Sequence, residues 1–167
     1  MSLTQRIAAV WIGLQVLFFA GWAWREEARR APGTGYSILV RVEPVDPRDL
    51  ISGQYFRLGY AFSRPHRLEE SATDPETGAE VWVLLRPEGA FHVPVRWLAS
   101  RPGHLEPGEV VLVGRKEQWR VLFGVEEYFV PEGTPDPDAK RLGVRLRIGD
   151  DGKARIEQVL LDGKPWP

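Results

Sequence analysis

The sequence contains no cysteine. This absence excludes disulfide bonds, thiolate metal ligands and thiol nucleophiles together. The chain also lacks an excess of charge of one sign, because 22 basic and 23 acidic residues leave a formal net charge of −1. No global electrostatic field therefore draws the chain to nucleic acid or to anionic lipid, and we expect no nucleic-acid partner.

Several motifs of catalytic and cofactor sites are missing as well. The three histidines, His66, His92 and His104, are too far apart in sequence to form the i, i+2 or i, i+4 pairs of a metal site. The sequence has no glycine-rich phosphate loop and no Gly-x-Ser-x-Gly elbow. We therefore expect neither a metal nor a cofactor, and a binding protein fits this sequence better than an enzyme.

The strongest feature that is present is an uncharged run of about 18 residues, which begins at Ile7 and ends at Trp24. As an α-helix this run would be about 27 Å long, close to the roughly 30 Å hydrocarbon core of a bilayer. We expect one N-terminal transmembrane helix that anchors the chain. A cleaved signal peptide, which would release a soluble exported ligand-binding protein, is the main alternative, and a buried core helix is the other.

The charges that flank this run support two opposite orientations in the membrane. Arg6 precedes it, whereas Arg25, Arg29 and Arg30 follow it, and this asymmetry favours a cytoplasmic location for the rest of the chain. A short positive start before a hydrophobic run also resembles an export signal, which places the following domain outside the cytoplasm. The residues alone leave both orientations open.

Beyond a breaker-rich linker at residues 31–35, the sequence has the period-two alternation of β-strands. We assign residues 1–30 to the anchor and its flanks, and residues 36–167 to one all-β domain. About eight short strands fall in that domain, a spacing typical of an antiparallel barrel or sandwich. Residues 81–85 are apolar on both faces, which predicts a central strand.

A connection dense in Pro, Asp and Gly joins two predicted strands and is the best candidate for a binding surface. Its Asp side chains can accept backbone amide hydrogens, and an Arg offers a planar fork to a carboxylate. The candidate binding residues are Asp46, Arg48, Asp49 and Tyr55. The residues with predicted structural roles are Gly53, Leu58 and Tyr60. The alternative is a structural corner whose polar groups satisfy their own backbone.

The same segment carries a resemblance to a known family. Gly53-x-Tyr55-x-x-Leu58-x-Tyr60, preceded by residues 46–50, is similar to the sequence after which the GDYXXLXY family of bacterial proteins is named. Residues 123–133 and 160–165 support the resemblance. Gln54 stands where the family name has Asp, so this chain has no carboxylate at that position.

The resemblance implies a short bacterial protein of the cytoplasmic membrane, with one N-terminal membrane segment. It also implies a polytopic membrane protein as partner, and it favours an extracytoplasmic domain against the simple charge count. It does not supply an activity.

We therefore expect a membrane-anchored β domain that binds or helps to assemble a partner membrane protein or a component of the cell envelope. An envelope hydrolase that uses the carboxylate of Asp49, Glu126 or Glu127 with Arg48 is the alternative from another functional class. Adjacent residues on a strand face opposite sides, so we expect one of the two glutamates to be exposed to solvent.

Overall fold

The computed structural model describes residues 3–30, 35–43, 55–64, 75–135 and 137–166. The chain divides into two units, Met1–Gly33 and Thr34–Pro167.

The first unit contains one helix, α1 (Leu3–Arg30). No proline interrupts these residues, so nothing breaks the backbone hydrogen-bond ladder along the hydrophobic run. The large apolar side chains between Val10 and Trp24 are exposed, at 55% to 77% of their full surface. Over the part of the chain that the structure describes, no helix has both the length and the apolar character of a membrane span.

The second unit is built from antiparallel strands, which confirms the predicted β architecture. The strands are β1 (Tyr36–Arg41), β2 (Tyr55–Arg57), β3 (Glu80–Glu88), β4 (Phe91–Leu98), β5 (Val110–Glu117), β6 (Arg120–Leu122), β7 (Glu127–Phe129), β8 (Leu142–Ile148), β9 (Ala154–Leu161) and β10 (Lys164–Pro165). The prediction of about eight strands omits β7 and β10, which have three and two residues and no alternating apolar side chains beside them.

Three antiparallel sheets hold these strands and form a half-barrel. One sheet has the order β1-β8-β9-β10, the second has the order β4-β3-β5-β6, and β2 pairs with β7 alone. β3 lies between β4 and β5, and Val81, Val83 and Leu85 on it are almost fully buried. The prediction of a central strand at residues 81–85 is therefore confirmed.

One hydrophobic core fills the space between these sheets. Alternate residues of the long strands point into it, such as Ile38 and Val40 on β1 and Val144 and Leu146 on β8. Apart from the buried Gly143, their neighbours on the same strands are polar or only partly buried. This is the inward and outward alternation that one buried face imposes on an antiparallel sheet.

In the segment that follows β2, alternate side chains remain buried, but the backbone no longer forms a strand. The alternating apolar residues here are all buried: Phe56, Leu58, Tyr60 and Phe62. The β2–β7 pairing stops at Arg57, Gly59 makes an isolated bridge with Glu43, and a 3₁₀ helix follows at Ala61–Ser63. The alternation of Phe56, Leu58, Tyr60 and Phe62 in the sequence predicts a strand through Phe62. This prediction is too long, because alternate side chains stay buried where the backbone no longer forms a ladder.

Candidate functional site

Most of the residues predicted to bind fall outside the part of the chain that the structure describes. These residues are Asp46, Arg48 and Asp49, and the glycine Gly53 lies outside it too. Tyr55 begins β2, where only its backbone is described. Leu58 and Tyr60 are in the core, with 2% and 1% of their surfaces exposed.

Leu58 and Tyr60 of the motif hold one turn of the chain through hydrogen bonds. The Leu58 amide donates to the Glu126 carbonyl oxygen at 2.7 Å, and the Tyr60 hydroxyl donates to the Val125 carbonyl oxygen at 2.8 Å. Burial raises the pKa of Tyr60 well above its ordinary value, and the charge of Glu126 raises it further. The hydroxyl therefore stays protonated at neutral pH and acts as a donor that fixes the turn.

The carboxylate of Glu126 stabilises the same turn from the other side. It accepts hydrogen bonds from the backbone amides of Phe123, Gly124 and Val125, at 2.6, 2.9 and 3.0 Å. Gly124 has a φ of +77°, a conformation that favours glycine. Because charge-assisted bonds to backbone amides are strong, Glu126 serves the local fold here. Glu127 begins β7 opposite Arg57 and is exposed, as expected for one of the two glutamates.

This turn forms part of a cleft of about 320 Å³ between the segment after β2 and strand β6. We call it the arginine cleft. Its chemically distinctive lining residues are Arg57, Ser63, Arg64, Trp119, Arg120, Glu126 and Glu127. Two of the three candidate hydrolytic carboxylates thus lie in one cleft. The guanidinium groups of Arg57, Arg64 and Arg120 belong to residues that line the same cleft.

Arg64 and Arg120 each lie close to a charged or aromatic side chain. The Arg64 guanidinium lies 3.8 Å from the carboxylate of Glu43, and each side chain is 26% exposed. The Arg120 guanidinium lies 5.4 Å from the centre of the Trp119 ring, which is the geometry of a cation–π contact. Trp119 itself is 58% exposed, so the cleft presents a large open aromatic surface.

Ser63 gives the cleft a buried polar group without a partner. The residue is only 8% exposed, and its hydroxyl has no hydrogen-bond partner among the described residues. The other buried atoms of this kind, His92 Nδ1 and Trp97 Nε1, belong to residues that do not line the cleft. Buried hydroxyl groups are nearly always hydrogen-bonded in folded proteins, so an orphan hydroxyl in a residue that lines a cleft indicates a site for an incoming group.

A second cavity, of about 530 Å³, lies beside β3 and β4 and differs in its charge balance. There Arg86 donates to the carboxylate of Glu109 at 3.0 Å, so the charges are already matched. A hydrogen bond from the Glu106 amide, followed by the contact with Arg86, lowers the pKa of Glu109. Within the described ranges, no three histidine, aspartate or glutamate side chains are grouped to hold a metal ion. The arginine cleft is therefore the stronger candidate for a binding site.

Sequence reasoning did not single out Ser63, Arg64, Trp119 or Arg120. These residues come from two segments far apart in the chain, and only the fold brings them into one cleft. One sequence signal could have pointed to Trp119. Trp119 follows Gln118 at the tip of the β5–β6 hairpin, where a large apolar residue has no core to enter.

A family model described as GDYXXLXY protein matches residues 15–159 of the chain. The matched range includes the motif segment and all the residues named on the arginine cleft. No curated protein and no solved structure matches the chain.

Proposed function

The chain belongs to the GDYXXLXY family, and on that premise we propose that it is a membrane-anchored, extracytoplasmic β domain that binds or assembles with a partner. The partner is a polytopic membrane protein or a component of the cell envelope, and the arginine cleft is the contact site. One observation carries this proposal: the buried hydroxyl of Ser63, in a cleft lined by three arginines, has no hydrogen-bond partner among the residues that the structure describes. A bound group would satisfy that hydroxyl.

The membrane anchor in this proposal is α1, with the run from Ile7 to Trp24 in the bilayer of the bacterial cytoplasmic membrane. The exposed apolar side chains between Val10 and Trp24 support it, because apolar surface on this scale calls for a lipid or protein environment. The extracytoplasmic orientation is supported by the short positive start before the run, with Arg6 as its only charged side chain.

Two measurements on the full chain test the anchor. We expect the protein to remain in the membrane pellet after alkaline carbonate washing, whereas release of a shortened soluble species would establish signal-peptide cleavage instead. We expect a C-terminal alkaline phosphatase fusion to be active, because the enzyme matures only after export. A stable but inactive fusion would place the domain in the cytoplasm, as the count of Arg25, Arg29 and Arg30 suggests.

The contacts of the glutamates support binding rather than hydrolysis. A general acid or base needs a carboxylate that can reach the substrate. The carboxylate of Glu126 instead accepts hydrogen bonds from three backbone amides of its own turn. Glu127 is exposed on a short strand, away from the buried carbonyl and hydroxyl groups of the turn.

Co-purification of the partner tests the contact site. We expect the full-length tagged protein, extracted gently from membranes, to retain a membrane protein that is lost with Arg120→Gln. Arg101→Gln is a matched control, because Arg101 also lies over a tryptophan ring, that of Trp82 at 5.7 Å, away from the cleft. Equal recovery of the partner with wild type and Arg120→Gln would refute the cleft as the contact site.

A further inference from the structure

The polar groups that the arginine cleft leaves available are mainly hydrogen-bond donors. The Tyr60 hydroxyl is used by the Val125 carbonyl, and the acceptors of Glu126 are used by backbone amides. What remains on the lining is the hydroxyl of Ser63, the guanidinium groups of Arg64 and Arg120, and the exposed carboxylate of Glu127. The two guanidinium groups outnumber the one carboxylate. Of these groups, guanidinium can only donate, and a serine hydroxyl can donate in whatever direction a ligand requires. The complementary ligand group is an acceptor that carries negative charge.

The neighbours of Ser63 strengthen this inference. Arg64 follows it directly and also lines the cleft. The 3.8 Å between the Arg64 guanidinium and the Glu43 carboxylate is longer than a hydrogen bond, so this ion pair is loose. Because each side chain is also partly open to solvent, such a pair costs little to rearrange when a closer anion enters.

The other side of the cleft offers a flat apolar surface. The indole ring of Trp119 is 58% exposed, and the Arg120 guanidinium lies over it at 5.4 Å. Tryptophan rings are typical anchors at binding sites, because the ring face makes apolar contacts while its polar edge can stay hydrated. A volume of about 320 Å³ is at the lower end for ligand pockets, which suits one small molecule or one or two side chains.

We infer that the arginine cleft binds a carboxylate or phosphate group that is attached to a flat or apolar body. Ser63 and the arginines Arg64 and Arg120 donate hydrogen bonds to the anion, and the body packs on Trp119. The planar guanidinium fork matches the paired oxygens of both anions. This inference rests on the proposed function, because it names the chemical group that the partner presents. A free small molecule or an acidic side chain of a partner protein can supply that group.

Titration of the full-length protein in nanodiscs tests the inference. The probes are benzoate and phenyl phosphate, with neutral benzamide as the matched control at constant ionic strength. The indole N–H resonance of Trp119 reports binding and is assigned as the signal that Trp119→Phe removes. We expect a saturable shift with at least one anionic probe and none with benzamide.

The variants then separate the cleft from other surfaces. We expect Arg120→Gln and Ser63→Ala each to weaken anion binding about tenfold, since each removes a donor to a charged group. Arg101→Gln should leave the affinity unchanged, and unaltered resonances of the core confirm that each variant folds. Equal shifts with benzamide, or wild-type affinity in both cleft variants, would overturn the inference.

A further arm identifies the source of the anion. Tighter binding of N-acetyl-Phe-Glu-amide than of benzoate supports an acidic segment of a partner protein, and the reverse order supports a free small molecule. Failure of this inference is distinct from failure of the proposed function. If Arg120→Gln abolishes partner recovery and no probe binds, the anion inference alone fails. If the probes bind and Arg120→Gln leaves partner recovery intact, the proposed function fails.

Discussion

Replacement of Tyr60 by phenylalanine isolates one hydrogen bond of the motif. The ring stays in place, stacked on Phe62 at 4.7 Å between centroids, and only the hydroxyl is lost. That hydroxyl donates to the carbonyl of Val125, a residue that is 0% exposed. Because Tyr60→Phe leaves a buried carbonyl without its donor, we expect a loss of about 1–3 kcal/mol in the free energy of unfolding.

Urea denaturation followed by tryptophan fluorescence measures this loss. Tyr128→Phe is the control, because Tyr128 is half-buried and its hydroxyl has no hydrogen bond among the described residues. We expect the control to change stability by less than about 0.5 kcal/mol. Equal midpoints for Tyr60→Phe and Tyr128→Phe would refute the view that the motif tyrosine holds the turn at Val125 and Glu126.

The pH dependence of the free energy of unfolding, compared between wild type and Tyr60→Phe, tests the same tyrosine a second time. Burial, and then the charge of Glu126, raise the pKa of Tyr60 in the folded state above the unfolded value of about 10. Above that pH the unfolded chain releases a proton that the folded chain keeps, so stability falls by up to about 1.4 kcal/mol per pH unit. The decline continues until the folded pKa is reached. Tyr60→Phe should remove this decline, and parallel curves for wild type and variant would contradict it.

Three further predictions concern single side chains. Ser63→Ala should leave thermal stability unchanged or raise it by up to about 1 kcal/mol, because the buried hydroxyl has no hydrogen bond within the described ranges; a clear loss in calorimetry would contradict this. Gly114→Ala should destabilise by about 1–3 kcal/mol in urea unfolding, because its added Cβ would lie 2.6 Å from Val121, whereas Gly103→Ala meets open space and should be nearly neutral. The hydrogen bond from Arg141 lowers the pKa of Asp162, so its stabilisation is present above the unfolded pKa of about 4 and is lost as pH falls through the lower folded pKa. When stability is measured as the pH is lowered, Asp162→Asn should lose less stability than wild type. Equal losses in the two proteins would count against the ion pair.

The periodic parts of the β unit could be predicted from the sequence. In β8 the side chains of Val144, Leu146 and Ile148 are buried and those between them are not, and a strand with one buried face leaves such a pattern in the sequence. The pattern could not show the register shift between Leu84 and Leu85, opposite Pro94 on β4. A bulge changes the pairing of two strands without changing the composition of either.

The candidate site was less predictable because its geometry depends on turns. The sequence predicts that residues 126 and 127 are neighbours on one strand, with side chains on opposite faces. Instead, β7 begins only at Glu127, and Glu126 lies in the preceding turn, where it folds back onto the amides of residues 123–125. The arginine cleft also joins residues near 60 with residues near 120, and no local pattern encodes that contact.

Site-specific photocrosslinking in intact cells tests the contact role of the arginine cleft most directly. The full-length protein carries Trp119→p-benzoylphenylalanine, which keeps an aromatic group in the cleft, or Tyr36→p-benzoylphenylalanine as the control. Tyr36 is 70% exposed and does not line the cleft. We predict a discrete adduct with a membrane protein or envelope component from position 119, reduced when Arg120→Gln is added, and no such adduct from position 36. The same adducts from both positions, or none from position 119, would contradict a contact site in the arginine cleft.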